Sequence, residues 1–389
     1  MNPIEDLLTR GVDEVIDKTQ LEELLKSKKK LRVKLGIDPT SPNIHIGRAV
    51  VLWKLRAFQE LGHKVVFIVG DFTGVIGDTS DKESERPMLS EAEIKKNLKT
   101  YFEQAYKILD KKKTETHYNS KWLKKLGFGE IGKLADLFSL HEFEARENIA
   151  KRLKAGKRVS LRELLYPLMQ GYDSVAVKAD IELGGTDQRF NLLAGRTIQP
   201  AYKQKSQNIL TMQLMEGTDG RKMSSSWGNV INITDDANNM FGKVMSIPDN
   251  LIQKYFILAT RTSLEEIDRI MLELTNPRDQ KMQLALNLTV LYHGEKKAIE
   301  AKEAFIAQFS KGELPANIPV VVLGSDITTI SAASLACGLV VSKSEARRLM
   351  EQGGIKLNGQ VVKDDVLVLT KHAQLLQVGK RRFANLRLK

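Results

Sequence analysis

Cysteine is nearly absent from the 389-residue chain, where Cys337 stands alone. One thiol excludes an intrachain disulfide and any cysteine-rich zinc site. The six histidines (45, 63, 117, 141, 293 and 372) are scattered and no HExxH occurs. No structural metal is therefore expected. No apolar run approaches the ~18–20 residues that a membrane helix needs. The opening MNPIEDLLTRGVDEV is acidic and periodic and does not read as a signal peptide. Internal repeats and low-complexity segments are lacking too. These absences point to a cytoplasmic protein with no membrane partner.

What is present suits a soluble globular protein. The length allows two or three domains at roughly 100–200 residues each. Hydrophobic residues make up 42% and charged residues 28%, which argues against wholesale disorder. The net charge of +12 is unevenly spread. Residues 331–389 hold eleven Lys/Arg against four acids, a balance of +7, which leaves +5 for the other 330 residues. A terminal module of that sign points to a polyanion such as nucleic acid.

Leu31, Val33, Leu35 and Ile37 alternate with Arg32, Lys34 and Gly36, the period of a strand. Pro39 and Pro42 break the chain into a loop. An apolar-periodic helix follows from His45 and meets its stop at Gly62. Val65–Val69 is continuously apolar, as in a strand buried on both faces. Strand, helix, strand predicts a parallel α/β sheet. Ser90-x-x-Glu93 and Ser160-x-x-Glu163 read as capping boxes. Val175–Ile181 and Ile209–Leu214 read as further strands. Beyond residue 236 the pattern is helical, over 262–274, 278–291 and 295–309. Gly312, Pro315, Pro319 and Gly324 mark 311–329 as a linker. In the tail, Ser342-x-x-Glu345 opens a helix carrying Lys343, Arg347 and Arg348 on one face. Asn358-Gly359 predicts a tight hairpin beside Lys356 and Lys363.

Five segments carry chemistry. PTSPNIHIGR (39–48) lies between a strand and a helix start, where backbone N–H groups favour a phosphate. Thr40 and His45 add donors there, and Gly47 permits a flat base to approach. Lys222-Met-Ser-Ser-Ser226, flanked by Gly217 and Gly220, suits a phosphate clamp. Each of these alone is compatible with an ordinary loop. Tyr166, Gln170 and Asp173 fall at i, i+4 and i+7 on one helix face in a segment too apolar to be well exposed. Pro167 is expected to kink or interrupt that helix near its start. Gly184-Gly-Thr-Asp-Gln188 follows a strand and suits a ribose and a small polar ligand. A Gly-rich loop ends at Asp78, with Lys82 and Arg86 shortly after.

Taken together, HIGR and KMSSS resemble the HIGH and KMSKS signatures of class I aminoacyl-tRNA synthetases. Y-x3-Q-x2-D, GGTDQ and the Asp78 loop narrow the resemblance to the bacterial tyrosyl-tRNA synthetases. SKSEARRLMEQGGIKLNG is similar to a small RNA-binding domain shared with a ribosomal protein. The resemblance implies a Rossmann-like α/β catalytic domain over 1–228 and an α-helical anticodon-recognition domain over 229–320. A linker over 321–330 and a small α+β RNA-binding domain over 331–389 complete the order. It implies that Asp78, Tyr166 and Gln170 hold the ammonium group of tyrosine, Asp173 accepts the phenolic proton and Gln188 meets the carboxylate side. Asp187 and Gly185 fall to the ATP ribose, with Gly36, Asp38, Gly47, Arg48, Met223 and Ser225 in the same nucleotide site. Thr40 and His45 bind phosphates, and Lys222, Lys82 and Arg86 clamp the leaving pyrophosphate. Lys343, Arg347, Arg348 and Lys356 face tRNA. ATP enters as a substrate with Mg2+ on its phosphates, and a homodimer is implied.

Three positions depart from the family pattern. Arg48 replaces the second histidine of HIGH, Ser225 replaces the second lysine of KMSKS, and Lys34 occupies a strand position where some members use a tyrosine. Three rivals stand beside this reading: a sister synthetase for tryptophan, an RNA-binding protein on a disabled synthetase scaffold, and a small-molecule nucleotidyltransferase. Asp173, the retained polar set and the basic tail respectively weigh against them.

Overall fold

Six strands build the first sheet: β1 (Val12–Ile16), β2 (Arg32–Ile37), β3 (Lys64–Val69), β4 (Thr114–Tyr118), β5 (Ile181–Gly185) and β6 (Asn208–Met212). A computed structural model describes residues 2–78, 88, 90–310, 318–324, 327–367, 374–379 and 382–388. The strand order is β1-β6-β5-β2-β3-β4, all parallel except β1, which runs antiparallel to β6. From β2 the chain winds outward through β3 and β4, then returns to β5 on the other side of β2. That reversal opens a crevice at the carboxyl ends of β2 and β5, where ligands collect in such sheets.

Local sequence accounts for the elements around that crevice. Helix α1 (Ile46–Glu60) buries Ile46, Ala49, Val50, Leu52, Leu55 and Phe58. Gly62, at φ +91°, turns the chain into β3, which is buried along Val65–Val69. Helix α2 (Leu161–Val177) starts at the Ser160–Glu163 capping box. It continues through Pro167 as one helix, so the proline does not interrupt it. Pro167 and its neighbours Tyr166 and Leu168 are all buried, so packing holds the turn that the missing N–H weakens. Helix α3 (Arg189–Ala201) packs closely on α2 because Gly171 carries no side chain. A Cβ there would lie 2.7 Å from Ile198 Cδ1 and 3.0 Å from the Ala194 carbonyl carbon.

Two expectations are corrected. Val175–Val177 ends α2 instead of opening a strand; Lys178, left-handed at φ 51°, caps the helix, and β5 begins only at Ile181. Val177 and Ala179 pack on Val66 and Ile68, so the apolar run serves a helix end against the sheet. A short apolar run fits helix and strand equally well. The linker expected at 321–330 is also interrupted by structure. Val320–Leu323 forms β7, parallel to β11 (Arg382–Leu388), and a helix starts at Ile330. Pro319 and Gly324 punctuate the sequence there, and the pairing partner lies some sixty residues on.

Helices Ala237–Met245, Ile252–Ala259, Leu264–Glu273, Pro277–His293 and Glu295–Ser310 follow the first sheet. The chain divides into two units, Met1–Lys302 and Glu303–Lys389. The second unit holds the sheet β7-β11-β10-β8-β9, with β8 Ile355–Leu357, β9 Gln360–Val361 and β10 Gln374–Val378. Asn358 and Gly359 join β8 to β9 at φ 50° and 83°, as the expected two-residue turn requires. Helix α4 (Lys343–Glu351) is capped by Ser342, whose hydroxyl accepts the Glu345 N–H at 3.1 Å. Among the described residues no helix is long and apolar enough to cross a membrane.

A buried ion pair anchors the start of α2. Arg152 Nη2 donates to Glu163 Oε1 at 2.9 Å, with both side chains almost fully buried. Arg152→Ala strands the Glu163 carboxylate in the interior, so the expected loss is ~3–5 kcal/mol in urea unfolding. The double variant Arg152→Met/Glu163→Gln should recover most of it. A loss below about 1 kcal/mol for Arg152→Ala would contradict a structural role for the pair.

Candidate active site

The loop after β2 is set by the start of α1. His45 is its N-cap, and His45 Nδ1 accepts the Arg48 N–H at 3.3 Å. The imidazole proton therefore sits on Nε2. Burial, reinforced by the charges of Arg48 and Lys222, pushes His45 down to about 3. The ring is neutral at pH 7 and serves as a hydrogen-bond donor, not a cation. A Cβ at Gly47 would come within 3.1 Å of His45 Nδ1 and 3.3 Å of Met223 Sδ, so the glycine keeps this wall thin. Arg48 donates to Tyr101 Oη at 2.6 Å and to Thr40 Oγ1 at 3.0 Å. The buried tyrosine thus braces the guanidinium against the loop hydroxyl.

One face of α2 forms the floor. Tyr166 Oη donates to Asp38 Oδ2 at 2.9 Å, and Thr73 Oγ1 donates to Asp38 Oδ1 at 2.7 Å. Asp173, only 3% exposed, accepts from Trp122 Nε1 at 2.7 Å and from Asn119 Nδ2 at 3.2 Å. Burial raises its pKa to about 7, although nearby Lys34 and the two donors pull the other way. Lys34 does not face the cleft. It is wholly buried beneath α2 and paired with Glu182.

The turn after β5 and the KMSSS loop close the other side. Gln188 Nε2 donates to Asp78 Oδ2 at 2.7 Å, and Asn191 holds Gln188 Oε1 at 3.1 Å. A Cβ at Gly185 would lie 2.6 Å from Asp187 Oδ1. Lys222 Nζ sits 2.8 Å from Asp187 Oδ2. Ser225 Oγ donates to Ser41 Oγ at 3.2 Å, tying this loop to the one after β2.

These segments line one cleft of about 260 Å³. Sixteen of the eighteen residues singled out above for the nucleotide and amino-acid site line it. The other two, Lys82 and Arg86, lie outside the described residues. Sequence reasoning missed Asn119, Trp122, Thr73 and Tyr101. Nothing in their spacing marks them, because each acts by supporting a residue far away in the chain. In the second unit Lys343, Arg347 and Arg348 are exposed on α4 and Lys356 is half-buried on β8. Arg347 Nε reaches Asp365 Oδ2 at 3.2 Å.

Chemically the cleft has two ends. One offers a deeply buried carboxylate with its donors fixed behind it. The other gathers hydroxyl, imidazole, guanidinium and ammonium groups, a donor set suited to an anion. The family described as tRNA synthetases class I (W and Y) matches residues 26–310, and the S4 domain matches residues 335–365. The chain belongs to the class I tRNA synthetases. HIGR and KMSSS are then this synthetase's signature loops, and both line the cleft. A protein named tyrosine–tRNA ligase from Thermotoga maritima is 47% identical over 383 residues, 97% of this chain and 95% of that protein. One named tyrosine–tRNA ligase 2 from Clostridium acetobutylicum is 46% identical over 98% of this chain and 97% of its own length. The solved tyrosyl-tRNA synthetase of Archaeoglobus fulgidus, complexed with L-tyrosine, aligns with TM-score 0.61 at 22% identity, covering 78% of this chain and all of that one. That likeness speaks for the fold.

The expectation that Asp173 accepts the substrate's phenolic proton predicts a pH signature. Its carboxyl is raised from 3.8 to about 7 by burial. As pH falls through about 7 the free protein gains a proton there and the acceptor is lost. kcat/KM for the amino acid in ATP–pyrophosphate exchange should therefore drop below about pH 7, and Asp173→Asn should remove that limb. A flat wild-type profile from pH 6 to 8 would contradict the assignment. The stability effect has the opposite sense. The unfolded chain loses this proton near 3.8 and the folded chain near 7, so the group's contribution to stability declines as pH rises between those values.

Proposed function

We propose that the chain is a tyrosine–tRNA ligase, which activates L-tyrosine with ATP to tyrosyl-adenylate plus pyrophosphate and then esterifies the 3′ end of its tRNA. One observation carries the choice of amino acid: Asp173, buried at the cleft floor and held by Trp122 and Asn119, suits a phenolic hydroxyl.

In this reading Tyr166, Gln170 and Asp78 receive the ammonium group, and Gln188 lies on the carboxylate side. ATP lies along Gly36, Asp38, Gly47, Arg48, Gly185, Met223 and Ser225, with its ribose at Asp187. The tyrosine carboxylate attacks the α-phosphorus, the P–O bond to pyrophosphate breaks, and both electrons leave with pyrophosphate. A carboxylate is already a nucleophile at pH 7, so no general base is required. Negative charge grows on the phosphate oxygens, where Thr40 and the neutral His45 donate hydrogen bonds and Lys222 supplies charge. Ribose binding at Asp187 competes with the 2.8 Å Lys222–Asp187 pair and turns the ammonium toward the phosphates. An interaction gained that late favours the transition state over bound substrate. Lys82 and Arg86 join the same clamp. Magnesium enters with ATP on its phosphates.

Functionally the chain divides into a catalytic part over 1–228, a helical anticodon-reading part that follows it and an RNA-binding part whose sheet begins with β7 at Val320. Lys343, Arg347, Arg348 and Lys356 meet tRNA there. Exposed Phe128, Leu140, Leu153 and Leu161 support a homodimer, and Phe128 is 92% exposed. The enzyme works in the cytoplasm. The test is charging of bacterial tRNA with radiolabelled L-tyrosine by the purified chain. Acid-precipitable tyrosine that depends on ATP is expected; its absence from a folded preparation that still forms adenylate would reject the transfer step.

A further inference from the structure

Lys34 and Glu182 face each other in register across β2 and β5. Their side chains form an ion pair of 2.8 Å and neither is exposed at all. Lys34 Nζ also donates to the Gln170 carbonyl oxygen at 2.9 Å and to Ser174 Oγ at 2.8 Å. Its three protons thus meet three acceptors. Glu182 in turn accepts from Gln170 Nε2 at 3.1 Å, from Ser174 Oγ at 2.9 Å and from Gln207 Nε2. A pair this deep adds little stability over an apolar pair of equal volume, so stability alone does not account for it.

The reason lies in what Glu182 does to Gln170. A glutamine amide has one acceptor face and one donor face. A carboxylate only accepts, so Gln170 must turn its NH2 toward Glu182. Its Oε1 is then the face presented to the cleft that Gln170 lines. We propose that the Lys34–Glu182 pair is a positioning element that fixes Gln170 as a hydrogen-bond acceptor, so that the cleft selects amino acids with a free α-ammonium group. The proposal rests on the reading above that Gln170 receives the ammonium group. Lys34 pairs with Glu182 and pins the α2 backbone at the Gln170 carbonyl, while Glu182 accepts from the amide and sets its orientation. Lys34, although at the strand position where some members of the family use a tyrosine, works through Gln170 without touching substrate.

The test compares binding of L-tyrosine and of 3-(4-hydroxyphenyl)propionate, which lacks only the ammonium group, by calorimetry on the full chain. Wild-type protein should prefer L-tyrosine. Glu182→Gln lets the Gln170 amide flip, so that preference should shrink about tenfold, the scale of one hydrogen bond to a charged group. Affinity for the propionate should change by less than about twofold, since no contact to it is lost. Lys34→Met/Glu182→Gln, which leaves no lone buried charge, should show the same loss of preference. Equal weakening of both ligands, or an unchanged preference, would overturn the proposal and leave the pair a purely structural element. No preference in wild-type protein would instead reject the ammonium assignment itself. A crystal structure of wild-type protein with L-tyrosine reads the arrangement without substitution. Gln170 Oε1 on the ammonium and Nε2 on Glu182 supports it; a Gln170 turned away from Glu182 rejects it.

Discussion

Asp173→Ala should reduce tyrosine-dependent ATP–pyrophosphate exchange by at least about 100-fold in kcat/KM. The substrate phenol loses an ionised acceptor, worth about 1.5–3 kcal/mol, and a buried hydroxyl left without a partner costs about 1–3 kcal/mol more. The Trp122 and Asn119 N–H groups, now 2.7 Å and 3.2 Å from Asp173, are also left facing an empty space. Asp173→Asn is the sharper version. It preserves shape, but whichever way the amide turns, it has one donor too many for a site already supplied with two and awaiting a third. It should fall nearly as far as alanine. Asp173→Asn should keep a near-wild-type melting transition, because a desolvated carboxyl has been removed, whereas Asp173→Ala also strands the two donors and should melt lower. Retention of more than about a tenth of wild-type kcat/KM by Asp173→Asn would show that the phenol is not read by this carboxylate.

Lys222→Ala should lower the rate of adenylate formation by about 100–1,000-fold, the range seen when one preorganised group facing transition-state charge is removed. Among the described residues lining the cleft, positive charge comes from Arg48 and Lys222, since His45 is neutral there and Ser225 stands where the family has a lysine. Arg48 is already committed to Tyr101 and Thr40. On the proposed reading Lys222 is therefore expected to carry a larger share of the electrostatic work than in a site with two lysines. Its side chain and that of Asp187 are partly exposed, so losing their pair has little effect on stability. The measurement is single-turnover adenylate formation at saturating tyrosine and ATP. A rate within tenfold of wild type would mean that other groups stabilise the leaving pyrophosphate.

Much of the crevice was legible before any coordinates. β2, α1 and β3 announce themselves through an alternation, a stop at Gly62 and a run buried on both faces. Tyr166, Gln170 and Asp173 share a face because helical spacing alone puts them there. The hairpin at Asn358-Gly359 followed from local turn chemistry. What was hidden depends on distant partners. β1 pairs with β6 nearly 200 residues away, and β7 with β11 some sixty residues on. β4 reads TETHY, a polar segment whose strand character comes from pairing with β3. Lys34 and Glu182 each look like exposed charges on half-buried strands, and only their adjacency in the sheet makes them an interior pair. Asn119 and Trp122 could not be found from sequence, because their work is to hold a carboxylate fifty residues away. Lys82 and Arg86 lie outside the described residues, so their share of the clamp rests on the sequence.

The central claim is that this cleft activates tyrosine. ATP–pyrophosphate exchange measured with tyrosine, phenylalanine and tryptophan in parallel, with no tRNA present, tests it most directly. Rapid exchange with tyrosine and background exchange with the other two is the expected result. It would also show that Arg48 and Ser225 are compatible with catalysis. Exchange driven by tryptophan, or none with any of the three from a folded protein that still binds tRNA, would contradict the account.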